Sequence, residues 1–287
     1  MKIGIQTDLL DIYGYGRWKE DMYNKIKKHG YDCTDLPMAN TDTPIYALPI
    51  EEAKELVLKE KSLADNAGIE IFQTHGPWQW PPKDSTLPDR SERMEKMKKA
   101  IYFTSLLNCK NIVLHPLMPH GITDITNGNK ENTLKINKEF FSELLETASK
   151  YNVTICLENT PYPEFSLAKP KDLFDFVKKI NHKNMKLCLD TGHAFVFDEL
   201  NLAEVVETIA SELCTLHVHD NKLNEDLHLM PYFGNIDWLS FANSLKKAKY
   251  DGCFILETMP SRKLPTPIFE EMCISLAEIA KEIAENI

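Results

Sequence analysis

Eight times along the chain, a short unbroken run of apolar and β-branched residues is followed by a longer segment with helical spacing. The strand-like runs cover residues 2–8, 31–36, 70–75, 111–114, 153–157, 186–189, 215–218 and 253–256. The helical segments between and after them cover 17–29, 50–67, 91–109, 132–151, 171–180, 202–214, 236–249 and 267–287, with a Pro-containing loop around Pro37 and Pro44. Gly30 and Gly68 stand where helix C-caps are expected. Strands that are apolar throughout, rather than at every second residue, are covered on both faces, as in a parallel sheet. Eight such units in succession predict an α/β fold of one kind, a closed (β/α)8 TIM barrel forming a single domain over residues 1–287. An open doubly wound sheet is the competing architecture. It wants a Gly-rich turn after the first strand, and TDLLDIYGYG does not match GxGxxG.

A chain of 287 residues, 43% hydrophobic, has enough apolar material for one large core. No apolar run approaches the ~18 residues of a membrane span, and MKIGIQTD at the N-terminus is not a secretory signal. The seven cysteines are scattered, odd in number and without a CxxC pair, which reads as reduced core residues of a cytoplasmic protein. The net charge is −10 and only four of 33 basic residues are arginine, so electrostatics give no support to nucleic-acid binding and favour a small-molecule substrate. The composition also leaves room for a homo-oligomer.

The predicted strands end in an unusual set of residues. His75 follows strand three, His115 strand four and Glu158 strand five; Asp190 and His193 follow strand six, His217 strand seven and Glu257 strand eight. The loop leaving strand seven adds Asp226 and His228. In a (β/α)8 barrel the C-terminal strand ends converge on one face, and buried charges there are costly unless paired or bound to something. Carboxylates and imidazoles from six consecutive strands point to a shared divalent cation. The mixed O/N donor set suits Zn, Mn, Co or Fe rather than Ca, and lacks the thiolates of a structural zinc. His219 ranks below His217, because it falls at or beyond the strand end. His29, His120 and His182 read as solvated helix-end or loop residues. Trp78 and Trp80, beside His75, are candidates for a wall against a sugar face.

The motifs THGPW, VLHP, CLENT, CLDTGHA, LHVHDNK, EDLHLMPYFGNIDW and ILET, spread over residues 74–258, resemble those of the xylose-isomerase-like (β/α)8 superfamily. That superfamily includes sugar and sugar-phosphate isomerases and epimerases and also endonuclease IV. The resemblance implies a metal site of Glu158, Asp190, His217 and Glu257, as in the ketose epimerases. It matches His75, His115, His193, Asp226 and His228 to the further ligand positions of endonuclease IV, so one to three ions are implied. Two departures are visible. ENTPYPEFS replaces the Gly/Gln-rich run of the nucleases, and the Arg that ketose epimerases place after the metal His falls among Asn221, Lys222 and Leu223. Lys222 is the nearby candidate for a cationic contact to substrate. The expectation is a metal-dependent sugar or sugar-phosphate isomerase or epimerase. Glu158 and Glu257 would exchange the proton through an enediolate, with His193 orienting the substrate. The alternative is a multinuclear zinc phosphoesterase of the endonuclease IV type.

Overall fold

The first strand pairs with the last, and that contact turns a row of eight strands into a ring. The computed structural model describes residues 1–7, 21–38, 44–197 and 201–287. The strands are β1 (Ile3–Gln6), β2 (Cys33–Pro37), β3 (Glu70–His75), β4 (Asn111–Leu114), β5 (Thr154–Glu158), β6 (Met185–Asp190), β7 (Leu213–His217) and β8 (Phe254–Leu256). Each is parallel to its sequence neighbour from β1 to β7, and β8 lies beside β1. Between β7 and β8 the ladder narrows to one bridge, Val218 to Leu256, held by Val218 N to Ile255 O (2.8 Å) and Glu257 N to Val218 O (2.9 Å). The result is a nearly closed (β/α)8 barrel, as the repeat predicts.

Ten α-helices are described: α1 (Met22–His29), α2 (Pro44–Ala47), α3 (Ile50–Ala67), α4 (Leu87–Leu106), α5 (Lys130–Tyr151), α6 (Pro170–Ile180), α7 (Thr191–Phe195), α8 (Leu202–Ile209), α9 (Trp238–Ala248) and α10 (Thr266–Glu285). Their apolar stripes close over the sheet, with Phe103, Phe141, Phe241 and Trp238 almost wholly excluded from water. Gly30 and Gly68 adopt the left-handed conformation that ends α1 and α3, as expected of them.

The differences from the predicted elements have local causes. Helix α4 starts four residues before the predicted 91, because Thr86 and Asp89 form a reciprocal capping box with Pro88 in the first turn. The predicted helix 202–214 ends at Ile209; Leu213 and Cys214 already belong to β7, where Leu213 pairs with Leu187. Pro44 does not lie in a loop but opens the short helix α2. His29 is buried rather than solvated. Asp8 and residues 17–20 of the predicted first strand and helix lie outside the described residues.

All seven cysteines are free thiols, and all but Cys214 are fully buried. Among the described residues no helix is long and apolar enough to cross a membrane.

Candidate metal centre

Strand direction does most of the work at the site. Parallel strands all present their C-terminal ends to one mouth of the barrel, where β3, β5, β6 and β7 finish on His75, Glu158, Asp190 and His217. Glu158 is the hub. Its Oε1 lies 2.6 Å from His217 Nδ1, and its Oε2 lies 3.2 Å from His75 Nε2 and 3.4 Å from His115 Nε2. Glu257, one residue past β8, brings Oε2 to 3.1 Å from the same His217 Nδ1, while its Oε1 accepts a hydrogen bond from Gln6 Nε2 (2.9 Å). Asp190 caps the short helix α7 by accepting the His193 amide (2.6 Å), and its carboxylate also meets His219 Nε2 at 3.0 Å.

Two groups of donors share this mouth. Glu158, Asp190, His217 and Glu257 each offer an atom within 4.8 Å of the others, and His75 with Glu158 and His217 forms an overlapping set. His193, His219, Asp226 and His228 form the second group. Asp226 stands between His193 Nε2 (3.4 Å) and His228 Nε2 (3.5 Å), and the His219 and His228 rings stack at 3.9 Å.

The tautomers fit ligation. His75 donates from Nδ1 to Gly76 O (3.0 Å), His193 to Asn159 O (2.9 Å) and His228 to Glu257 O (2.9 Å). A carbonyl can only accept, so each of these rings carries a proton on Nδ1, which leaves Nε2, the atom that faces the carboxylates, as the nitrogen that an ion would take in place of its proton. That arrangement is how proteins orient metal-binding histidines. Glu257 Oε2 is buried without a hydrogen-bond partner. Three carboxylates packed around one imidazole leave negative charge that a cation would balance. The residues present therefore fit a divalent ion.

Electrostatics separate the histidines. Burial drives the His115 imidazole down to about 3, so it is neutral at ordinary pH. Burial also opposes charge on His193 and His228, yet neighbouring carboxylates prevail. Asp190 and Asp226 lift His193 to about 10, and Asp226 and Glu257 lift His228 to about 9. Burial alone would raise Glu158 and Glu257, but His217 above all outweighs it and holds both carboxyls well below the usual range.

Above the donors lies a cleft of about 310 Å³, lined among others by Trp78, Tyr162, Thr160 and Gln6. Trp78 packs on the His115 ring with centroids 4.5 Å apart. Trp80 is 57% exposed and does not line the cleft; it stacks on Tyr162 from outside at 5.3 Å. Lys222 is exposed and also outside the lining. No Lys or Arg lines the cleft among the described residues.

Three residues of the site were not singled out or ranked highly from sequence. Tyr162 supplies the wall assigned to Trp80; an aromatic within ENTPYPEFS was the available signal. His219 is fully buried and belongs to the second donor group; it lies two residues past His217, the spacing that returns a strand to the same side. Asp35, fully buried in β2, accepts from His217 Nε2 at 2.7 Å. An acid interrupting an apolar strand was its only mark.

The chain has relatives of known name. A D-psicose 3-epimerase of Ruminiclostridium cellulolyticum is 26% identical over 255 residues, covering 85% of this chain and 80% of the relative. A probable endonuclease 4 of Acholeplasma laidlawii is 24% identical over 247 residues, covering 78% of each. The crystal structure of a D-tagatose 3-epimerase-like protein superposes with a TM-score of 0.78 at 27% identity, covering 99% of this chain and 97% of that one. The profile of one family matches residues 23–279, and by that match the chain belongs to the xylose isomerase-like TIM barrels.

Proposed function

We propose that the chain is a metal-dependent isomerase or epimerase of a ketose or related polyol-ketone. The observation that carries this reading is the placement of two glutamates, Glu158 and Glu257, in one donor set that lines the cleft. The similarity to a D-psicose 3-epimerase supports it. Glu158, Asp190, His217 and Glu257 would hold the cation. A divalent ion there supplies polarisation of adjacent carbonyl and hydroxyl oxygens, which acidifies the C–H between them.

Glu158 and Glu257 then remove the proton from that carbon and return it, through an enediolate of the substrate. Both carboxyls are held ionised by His217, so either can begin as base. His193, lifted to about 10, would act as a proton-bearing donor to a substrate oxygen. Trp78 and Tyr162 bound the cleft and offer aromatic faces to a substrate. A cleft lined by no Lys or Arg among the described residues suits an unphosphorylated sugar better than a sugar phosphate. The buried thiols suit a reducing, cytoplasmic setting.

The second donor group is the specific observation favouring the other reading, a multinuclear zinc phosphoesterase with ions also at His75, His115 and the His193–His219–Asp226–His228 group. The scarcity of arginine speaks against its DNA substrate. Metal analysis of the purified protein, followed by a panel of free ketoses, ketose phosphates and an abasic-site duplex, decides between them. Epimerisation of a ketose with about one ion per chain supports the proposal. Strand cleavage with about three ions overturns it.

A further inference from the structure

Beneath the donor set, inside the barrel, one buried carboxylate has no place in the scheme above. Asp35 reaches from β2 across the interior to β7, a sequence separation of 182 residues, and its Oδ2 lies 2.7 Å from His217 Nε2. Both side chains are wholly shielded from solvent. The same oxygen accepts a second hydrogen bond, from Gln73 Nε2 at 2.9 Å. Gln73 stands opposite Asp35 because the β2–β3 register shifts between Thr34 and Asp35. Irregularities of this kind re-aim side chains next to active sites. On β7 the ladder slips again before the His217 pairing, between Leu187 and Cys188 of its partner strand.

His217 is oriented opposite to the other histidines of the site. His75, His193 and His228 are fixed through Nδ1 and offer Nε2, whereas His217 has Nε2 on Asp35 and Nδ1 among Glu158 and Glu257. Asp35 Oδ2 already accepts from the Gln73 amide, so it stands as the acceptor and His217 Nε2 as the donor of their contact. Nδ1 faces the carboxylates of Glu158 and Glu257 and donates to them in the ion-free protein; a cation at that donor set would take the place of the Nδ1 proton, while the Nε2 proton stays on Asp35. Resting on the metal-site reading above, we infer that Asp35 is a positioning residue: by holding His217 Nε2–H, it presents Nδ1 to the cation. An unpaired buried carboxylate would be costly, so the arrangement also explains how an acid is accommodated inside an apolar strand.

The test uses the full chain and Zn²⁺. Zinc affinity, by competition with a chromophoric chelator, is compared between the wild type and Asp35→Asn, which keeps the size and removes the charge. Thermal unfolding of both chelator-treated proteins is the folding control. Loss of a partner of a metal-bound histidine typically weakens affinity about 10- to 100-fold; that is the expected rise in Kd, at little change in the unfolding temperature. Asparagine binding as tightly as wild type overturns the inference while leaving the metal site standing. A wild type that binds no zinc overturns both. Should Asp35→Asn fail to fold, ¹⁵N chemical shifts of the imidazoles in the zinc-loaded wild type decide alone. His217 protonated at Nε2 is required, and a proton at Nδ1 refutes the assignment.

Discussion

Glu158 and Glu257, 99 positions apart in the chain, converge on a single atom: His217 Nδ1 lies 2.6 Å from one carboxylate and 3.1 Å from the other. Neither contact is a property of one strand. Each depends on β5, β7 and β8 delivering their C-terminal ends to one mouth of the barrel, and the proposed proton exchange follows from that convergence.

The Glu257→Gln variant should keep the fold and much of the metal affinity, since the amide oxygen can still ligate, but lose the carboxylate that takes up and returns the proton. On a verified ketose substrate kcat should fall about 10²- to 10⁴-fold, the usual contribution of a general base. Retained turnover would remove Glu257 from the proton-transfer step.

The two donor groups should be separable by mutation. Asp226→Asn removes a carboxylate shared by His193 and His228 without touching Glu158, Asp190, His217 or Glu257. Elemental analysis should show any second ion lost and the first retained. Loss of all metal would mean that the two groups act as one centre.

Gly192 should resist any side chain. A Cβ there would sit 1.9 Å from the His219 ring, which has no space to retreat in a fully buried position. Gly192→Ala is expected to cost about 1–3 kcal/mol in urea unfolding, as overpacking does. A variant as stable as wild type would show that the ring relocates freely.

Stability of the chelator-treated protein should depend on His193. Its folded pKa, about 10, lies above the ordinary histidine value of ~6.5. The folded state thus binds the proton more tightly than the unfolded chain. The resulting stability is fully present below pH ~6.5 and is lost as pH rises toward about 10. Unfolding temperature should decline across that window in the wild type and less so in His193→Asn. Parallel declines would assign the effect to other groups.

Away from the donors, Arg93 is buried and clamped by both oxygens of the buried Asp84, at 2.6 and 2.7 Å, and also donates to His115 O at 3.0 Å. Asp84→Ala strands that guanidinium and frees the Met118 amide that Asp84 Oδ2 accepts. Breaking a buried pair from one side costs about 3–5 kcal/mol, measurable by equilibrium denaturation. A cost below about 1 kcal/mol would mean that solvent reaches Arg93.

Two levels of information meet in this molecule. The eightfold repeat and the residue types at strand ends were legible in the chain itself, because strand period and helix period are local properties and parallel strands in a barrel all point one way. Strand β3, helix α3 and strand β4 have the limits the pattern predicts for that reason. Helix ends set by a cap, as at Thr86, depend on one side chain reaching back, and they shifted. The partners of each donor were not legible. Asp35 on His217, Tyr162 rather than Trp80 at the cleft, and His219 against Asp190 are contacts between elements distant in sequence, selected by register, strand tilt and loop path. Residue type announces that a charge must be satisfied; only the closed barrel decides which neighbour satisfies it.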